Sequence, residues 1–276
     1  MKRLFNQIRT THIRLFFKQL FYLALDISDS IRGSRPEGIP PRRKIQIGYD
    51  DYVKQGEKFL SYFKEFGGLQ PKHSVLDAGC GFGQMAVPLF RFLNEEGSYD
   101  GIDTDKTKID WCSKNISAKY PDFRFQYTGP EAKQAITEGK TVANKFHFPY
   151  KDAKFDFVFF TSSFAHLMPA EIEKNITETG RVMKPGASCL MSLYIVNCES
   201  EDLIIRKAAQ MNFPFNKGFF RLSTLNPIER TVAYDEEWLL EKLGNAGLKM
   251  ESIQYGQWCG RQHFFDYQDL LICSKI

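Results

Sequence analysis

The sequence predicts an α/β fold: a doubly wound, seven-stranded, mostly parallel sheet with an antiparallel last strand, helices on both faces, an N-terminal helical arm and a lid insertion. Three observations predict it. Ser74, Val75 and Leu76 run through Asp77-Ala78-Gly79-Cys80-Gly81-Phe82-Gly83 into an apolar stretch of helical spacing at 85–92, which reads as strand, glycine loop and helix. Short strand-like runs then alternate with helical stretches as far as residue 196. A last amphipathic helix precedes two apolar runs, 248–254 and 269–274, that make a closing antiparallel pair.

At 276 residues, with 43% hydrophobic and 25% charged residues, the chain has room for one α/β domain with additions and too little for two full domains. Residues 1–44 hold ten Lys/Arg against three acids, a net +7, so an overall +4 leaves about −3 on residues 45–276. That balance argues against a basic nucleic-acid binder and makes the arm the part drawn to anionic surfaces. The six cysteines, at 80, 112, 189, 198, 259 and 273, show no C-x-x-C and no Cys/His spacing that would hold a metal. Reduced thiols in the cytoplasm are the simplest reading.

Within residues 11–31, Leu20, Phe21, Ala24, Ile27 and Ile31 continue a helical face begun by Ile13, Phe16 and Phe17. The stripe is too short and interrupted to span a bilayer and lacks the features of a signal peptide. Two readings stay open: a helix packed on the domain or over its cleft, or an interfacial membrane helix, basic in its first turns. Residues 33–44, with Pro36, Pro40 and Pro41, read as an extended linker, so 1–44 form the arm and 45–276 the main domain. A second helix over 50–66 stops at Gly67-Gly68.

Glycine at 79, 81 and 83 lets backbone approach a ligand closely and adopt positive φ. The dinucleotide pattern G-x-G-x-x-G needs glycine at 84, where Gln84 stands. Asp77, two positions before the first glycine, suits a cationic group such as an α-amine and repels a pyrophosphate. The loop therefore favours an amino-acid-bearing nucleoside over NAD.

D-A-G-C-G-F-G resembles the first motif of the class I (Rossmann-like) S-adenosylmethionine-dependent methyltransferases. The resemblance implies that Gly79, Cys80, Gly81 and Gly83 lie under the methionine part of S-adenosylmethionine and that Asp77 orients its amino group, directly or through water. F-D-x-V at 155–158 and R-V-M-K-P-G at 181–186 are further marks of the class, and the resemblance covers residues 50–195. In related methyltransferases a helix before the first strand covers the cofactor, which makes Tyr52 and Gly56 candidates to face it, with ordinary packing the alternative for Tyr52.

The second strand, 99–102, ends at Asp103, an acid placed to accept hydrogen bonds from two ribose hydroxyls, with Thr104 beside the adenine. A helix over 106–119 leads to a third strand at 123–127. The acid that usually follows this strand in the family is missing here. After an insertion, Asn144 takes its place counting back from Pro149-Tyr150, and its side-chain carbonyl suits an amine; a plain loop Asn is the alternative.

A central strand over 154–161 closes on Thr161, counted with the cofactor-binding residues, and Pro169 opens a helix to 183. His166, just past that strand where the family's active sites lie, is either a general base or a structural histidine of the cleft wall. His147 and His263 have weaker context. The fifth strand, 189–196, carries Tyr194, which orients an acceptor or simply packs. Residues 197–231 are too apolar for a free linker and too long for a plain connection, and read as a substrate lid. After a helix at 235–246, the connection at 256–261 within the closing pair either reaches the site or is an ordinary hairpin loop.

These parts imply in-line methyl transfer from S-adenosylmethionine, with no metal, to a small-molecule or lipid-like acceptor, by preference at oxygen. Nucleic acid is not expected as a partner. Peripheral membrane contact through residues 1–31 would make a cytoplasmic enzyme a membrane-associated one. A catalytically inactive scaffold of the same fold and an NAD-type oxidoreductase are the competing readings.

Overall fold

Alternation along the strands splits the core into two layers, one on each face of a twisted sheet. The computed structural model describes residues 2–45, 48–129, 147–161 and 163–276, with backbone alone over 2–16. The chain begins with α1 (Lys2–Arg32), α2 (Arg42–Ile45) and α3 (Tyr49–Glu65), then β1 (Ser74–Ala78), α4 (Ala86–Phe92) and β2 (Ser98–Asp103). It continues through α5 (Lys106–Cys112), β3 (Phe123–Tyr127), β4 (Phe155–Phe160), α6 (Pro169–Val182), β5 (Met183–Val196) and α7 (Cys198–Ile205). Three short strands, β6 (Phe215–Asn216), β7 (Phe220–Leu222) and β8 (Val232–Asp235), precede α8 (Glu236–Asn245), β9 (Leu248–Gln254) and β10 (Asp269–Lys275).

The main sheet runs β3-β2-β1-β4-β5, all parallel, and β10 joins β5 in the opposite sense with β9 on its far edge. This is the expected seven-stranded sheet with its antiparallel last strand. Strand order reverses between β1 and β4, so the carboxyl ends of those two strands open the crevice where α/β sheets bind ligands. Val75, Tyr99, Phe157 and Phe159 pack with α3 and α4 side chains on one face, while Leu76, Val158 and Phe160 pack with Ile172 and Ile176 of α6 and Leu239 of α8 on the other. Each fully buried Phe of β4 contributes about 2 kcal/mol by area, and this strand is the apolar centre of the molecule.

The sheet extends further than the sequence indicated, to ten strands among the described residues. The carboxyl end of β5 pairs in parallel with β8, and β8, β7 and β6 follow as antiparallel neighbours. Residues 197–231 are therefore partly sheet. Their first helix, α7, is capped by Asn197, whose side chain accepts from Ser200 N–H at 3.1 Å. The helix expected over 106–119 is α-helical only to Cys112 and continues as a π turn, Ser113–Ser117.

The stretch between α1 and α3 is docked. Ile39 is 2% exposed and clusters with Tyr49 and Tyr52, and Glu37 accepts from Lys119 Nζ and Tyr120 Oη, both at 3.0 Å. The Asp26 carboxylate accepts from the N–H groups of Arg42 and Arg43, Asp29 pairs with Arg42, and Lys44 Nζ lies 5.3 Å from the Phe82 ring. The arm is thereby fixed beside the glycine loop.

Candidate active site

The loop after β1 is tied to β2 by its own backbone. Gly79 and Cys80 N–H both donate to Ile102 O, at 2.9 and 3.0 Å, and Gly83 N–H donates to Cys80 O at 2.8 Å. Gly81 N–H donates to Asp103 Oδ2 at 2.9 Å. Four of the five amide groups from 79 to 83 are thus satisfied within the protein. A loop with its donors spent is a poor cradle for a pyrophosphate, whose binding relies on free N–H groups.

The three loop glycines all have positive φ, for different neighbours. A Cβ on Gly79 (φ 101°) would lie 2.8 Å from Ser163 Cβ, so this glycine lets the segment after β4 close on the loop. Gly81 (φ 55°) has nothing within 4 Å of that position and faces open space. Ser163 also donates its hydroxyl to Ala78 O at 3.1 Å.

Two carboxylates flank the loop in contrasting states. Asp103, at the end of β2, is half-buried; it accepts from Gly81 through one oxygen and from Asp105 N–H at 2.8 Å through the other, leaving lone pairs on both for hydroxyl donors. Asp77 is 1% exposed, and its Oδ2 accepts from Tyr99 Oη at 2.6 Å while its Oδ1 is buried without a partner. Burial pushes its carboxyl up to about 7; the Tyr99 hydroxyl pulls the other way and the nearby Asp103 charge adds to the rise. An orphaned buried carboxylate oxygen is costly unless a donor is brought to it, and a cationic amine is the donor that would relieve it most.

Residues 76–191 match the sequence model of a family described as a methyltransferase domain. The chain is similar to that family over the stretch from β1 into β5. Methyltransferase GfsG of Streptomyces halstedii is 24% identical over 204 residues, which cover 74% of this chain and 64% of that protein. The tRNA N(3)-cytidine methyltransferase METTL2 of Danio rerio is 22% identical over 196 residues, covering 68% of this chain and 50% of that protein. This chain spans less than two thirds of either. The crystal structure of a SAM-dependent methyltransferase from Aquifex aeolicus superposes with a TM-score of 0.52 at 18% identity, over 85% of this chain and 96% of that one, and shares the fold.

The cofactor of this methyltransferase family is S-adenosylmethionine, and the structure places most of the residues expected around it at one end of the sheet. Asp77, Gly79, Cys80, Gly81, Gly83 and Asp103 lie together on β1, the loop and β2, with Gly79, Gly81 and Asp103 partly exposed and the other three buried, Thr104 beside Asp103 and Thr161 following β4. The Cys80 thiol is buried and, with its N–H spent on Ile102, presents neither group outward. Tyr52 is 4% exposed and donates its hydroxyl to Phe82 O at 3.2 Å; Gln84 Nε2 in turn donates to Tyr52 O at 3.0 Å. Gly56 brings α3 against α4, where a Cβ would lie 3.1 Å from Gln84 O. Asn144 lies outside the described residues.

At the other end of the crevice, His166 closes a single 3-10 turn, Phe164–His166, and is exposed. Its Nδ1 is 3.2 Å from Arg230 O. A carbonyl only accepts, so Nδ1 carries a proton, and in the neutral ring the lone pair is then on Nε2. The 256–261 loop is core: Trp258 and Cys259 are fully buried, and Trp258 joins Tyr194 and Phe213 in one aromatic cluster. Asp269, also fully buried, accepts from Trp258 Nε1, Ile195 N–H and Gly256 N–H, each at 2.7 Å, and from Arg261 at 3.2 Å.

Sequence reasoning passed over Tyr99, Ser163 and Arg230. The parallel register that sets Val75 against Tyr99 and Asp77 against Gly101 puts Tyr99 on the same face as Asp77, and a tyrosine in an otherwise apolar strand was the available signal. Arg230 carried none, since its contact with His166 spans 64 residues.

Proposed function

We propose that the protein transfers the methyl group of S-adenosylmethionine to a small-molecule or lipid-like acceptor at an oxygen atom. The observation that carries this reading is the pair of carboxylates at the glycine loop: Asp77 with one buried oxygen awaiting a donor, and Asp103 with lone pairs to spare beside open space at Gly81. Asp77 fits the α-amine of the cofactor and Asp103 its ribose hydroxyls, with Gly79 and Gly81 as the floor, Thr104 toward the adenine and Thr161 at the wall, while Cys80, Gly83 and Tyr52 back the loop from the interior. When bound, the sulfonium supplies an already activated methyl group, so the protein's task is alignment and proton removal.

His166 is the base in this proposal. The Arg230 carbonyl holds its proton on Nδ1, so Nε2 is the nitrogen that takes a proton from a hydroxyl acceptor. The 197–231 excursion acts as the lid, anchored to the body where Phe213 packs on Tyr194 of β5 and on Trp258, and its apolar composition suits an aromatic or aliphatic acceptor. The relatives include a protein named for tRNA methylation, but the net negative body of this chain supports a non-nucleic-acid acceptor.

The test is incubation with methyl-labelled S-adenosylmethionine and a panel of phenols, hydroxylated lipids, amines and RNA. Label in the hydroxyl compounds is expected; label in RNA or amines alone rejects the acceptor assignment. Calorimetry with S-adenosylhomocysteine and with NADH checks the cofactor, and binding of NADH in preference would reject the whole reading.

A further inference from the structure

We propose that α1 seats its outer face on an anionic lipid surface and so holds the active-site end of the sheet at a membrane. The outer face is defined by Leu20, Phe21, Ile27 and Ile31, which are 45, 61, 53 and 81% exposed. At about 100° per residue these four fall within a sector of about 120°. The inner side of the same helix carries Asp26, 4% exposed and bound to the backbone of Arg42 and Arg43. The helix thus turns Asp26 to the protein and leaves four large apolar side chains outward, which folding alone would not select.

Charge decides between occupants. The arm, residues 1–44, carries +7 whereas the rest of the chain carries about −3. A second copy of this chain would bring another +7 against the first, and an apolar partner protein would make no use of the charge. Anionic headgroups answer the basic residues while the acyl boundary takes Leu20 and Phe21. No described helix is long and apolar enough to cross a membrane, so the contact is in the interface plane.

Position gives the contact its use. Asp26 and Asp29 clamp the carboxyl end of α1 to α2, and Lys44 of α2 reaches the Phe82 ring of the glycine loop. A membrane under α1 is therefore beside the mouth of the crevice.

The experiment is flotation of the full chain with phosphatidylcholine vesicles, with and without phosphatidylglycerol, at low and high salt. The expected result is flotation with the anionic vesicles only, weakened by salt, and reduced about tenfold or more in the combined variant Leu20→Ser, Phe21→Ser, Ile27→Ser. Circular dichroism and an unchanged melting temperature confirm that the variant is folded. Four results overturn the proposal: equal flotation of variant and wild type, equal flotation with neutral vesicles, a doubled mass in light scattering that the variant abolishes, or salt-sensitive RNA binding that the variant retains while vesicles are ignored.

Discussion

The two ends of the crevice are built on opposite plans. The glycine-loop end is local: β1, the loop and β2 lie within residues 74–103, and its hydrogen bonds link Gly79 and Cys80 to Ile102 and Gly81 to Asp103. The other end is assembled from distant pieces: His166 meets Arg230, Met211 N–H meets Trp258 O, and Ile195 N–H meets Asp269. The first end is set by one stretch of chain, while the second depends on contacts between loops that can vary independently.

Perturbing the distributed end should have the largest energetic effect. Trp258→Ala removes a fully buried ring from Tyr194 and Phe213 and the N–H donor from Asp269, and should cost about 3–5 kcal/mol in urea unfolding. If the two ends are independent, calorimetric affinity for S-adenosylhomocysteine at low temperature stays near wild type in this variant; a matching loss of affinity would break the comparison. Next, His166→Gln should lower kcat about 100-fold, with cofactor affinity unchanged. Unaltered turnover of the preferred acceptor would remove the imidazole as base.

At the local end, Asp103→Ala should weaken cofactor binding by about 2 kcal/mol, since hydrogen bonds to a charged group are lost and Gly81 N–H is left without its partner. Unchanged binding enthalpy and affinity would exclude the ribose role. The smallest effect is that of pH. With Asp77 pushed up to about 7, cofactor affinity should rise between pH 6 and pH 8 by about tenfold at most, and Asp77→Asn should flatten that slope.

The same group gives a sign for stability. Its folded pKa lies above the ordinary 3.8, so the ligand-free folded state holds a proton that the unfolded chain releases as pH rises from about 4 to about 7. Stability from this group is present below that window and lost across it. A melting temperature that climbed over the same range in wild type but not in Asp77→Asn would contradict the assignment.

The main sheet was legible because β1, β4, β5 and β10 are rich in apolar residues, and because the glycine loop marks where the first one ends. The extension past β5 was not. Phe215–Asn216 and Phe220–Leu222 are two and three residues long, too short for a period-two pattern; the second becomes a strand on the edge that β8 offers, and the first on the second. The inward turn of the loop at 256–261 was hidden for a related reason. Its Gly, Gln and Arg look like surface residues, but Asp269 supplies the buried acceptor that lets Trp258 and Arg261 turn inward. For the candidate site, Asp77 and Asp103 were legible by their spacing from the glycines, whereas the contacts of Tyr99 with Asp77 and of Arg230 with His166 are ones that spacing does not encode.

The Arg230 carbonyl has a further consequence. A main-chain oxygen cannot be mutated away, but it moves whenever its segment moves. On the proposed reaction, any shift of residues 226–231 would take this acceptor off Nδ1, so the tautomer the base needs is tied to the position of one main-chain segment.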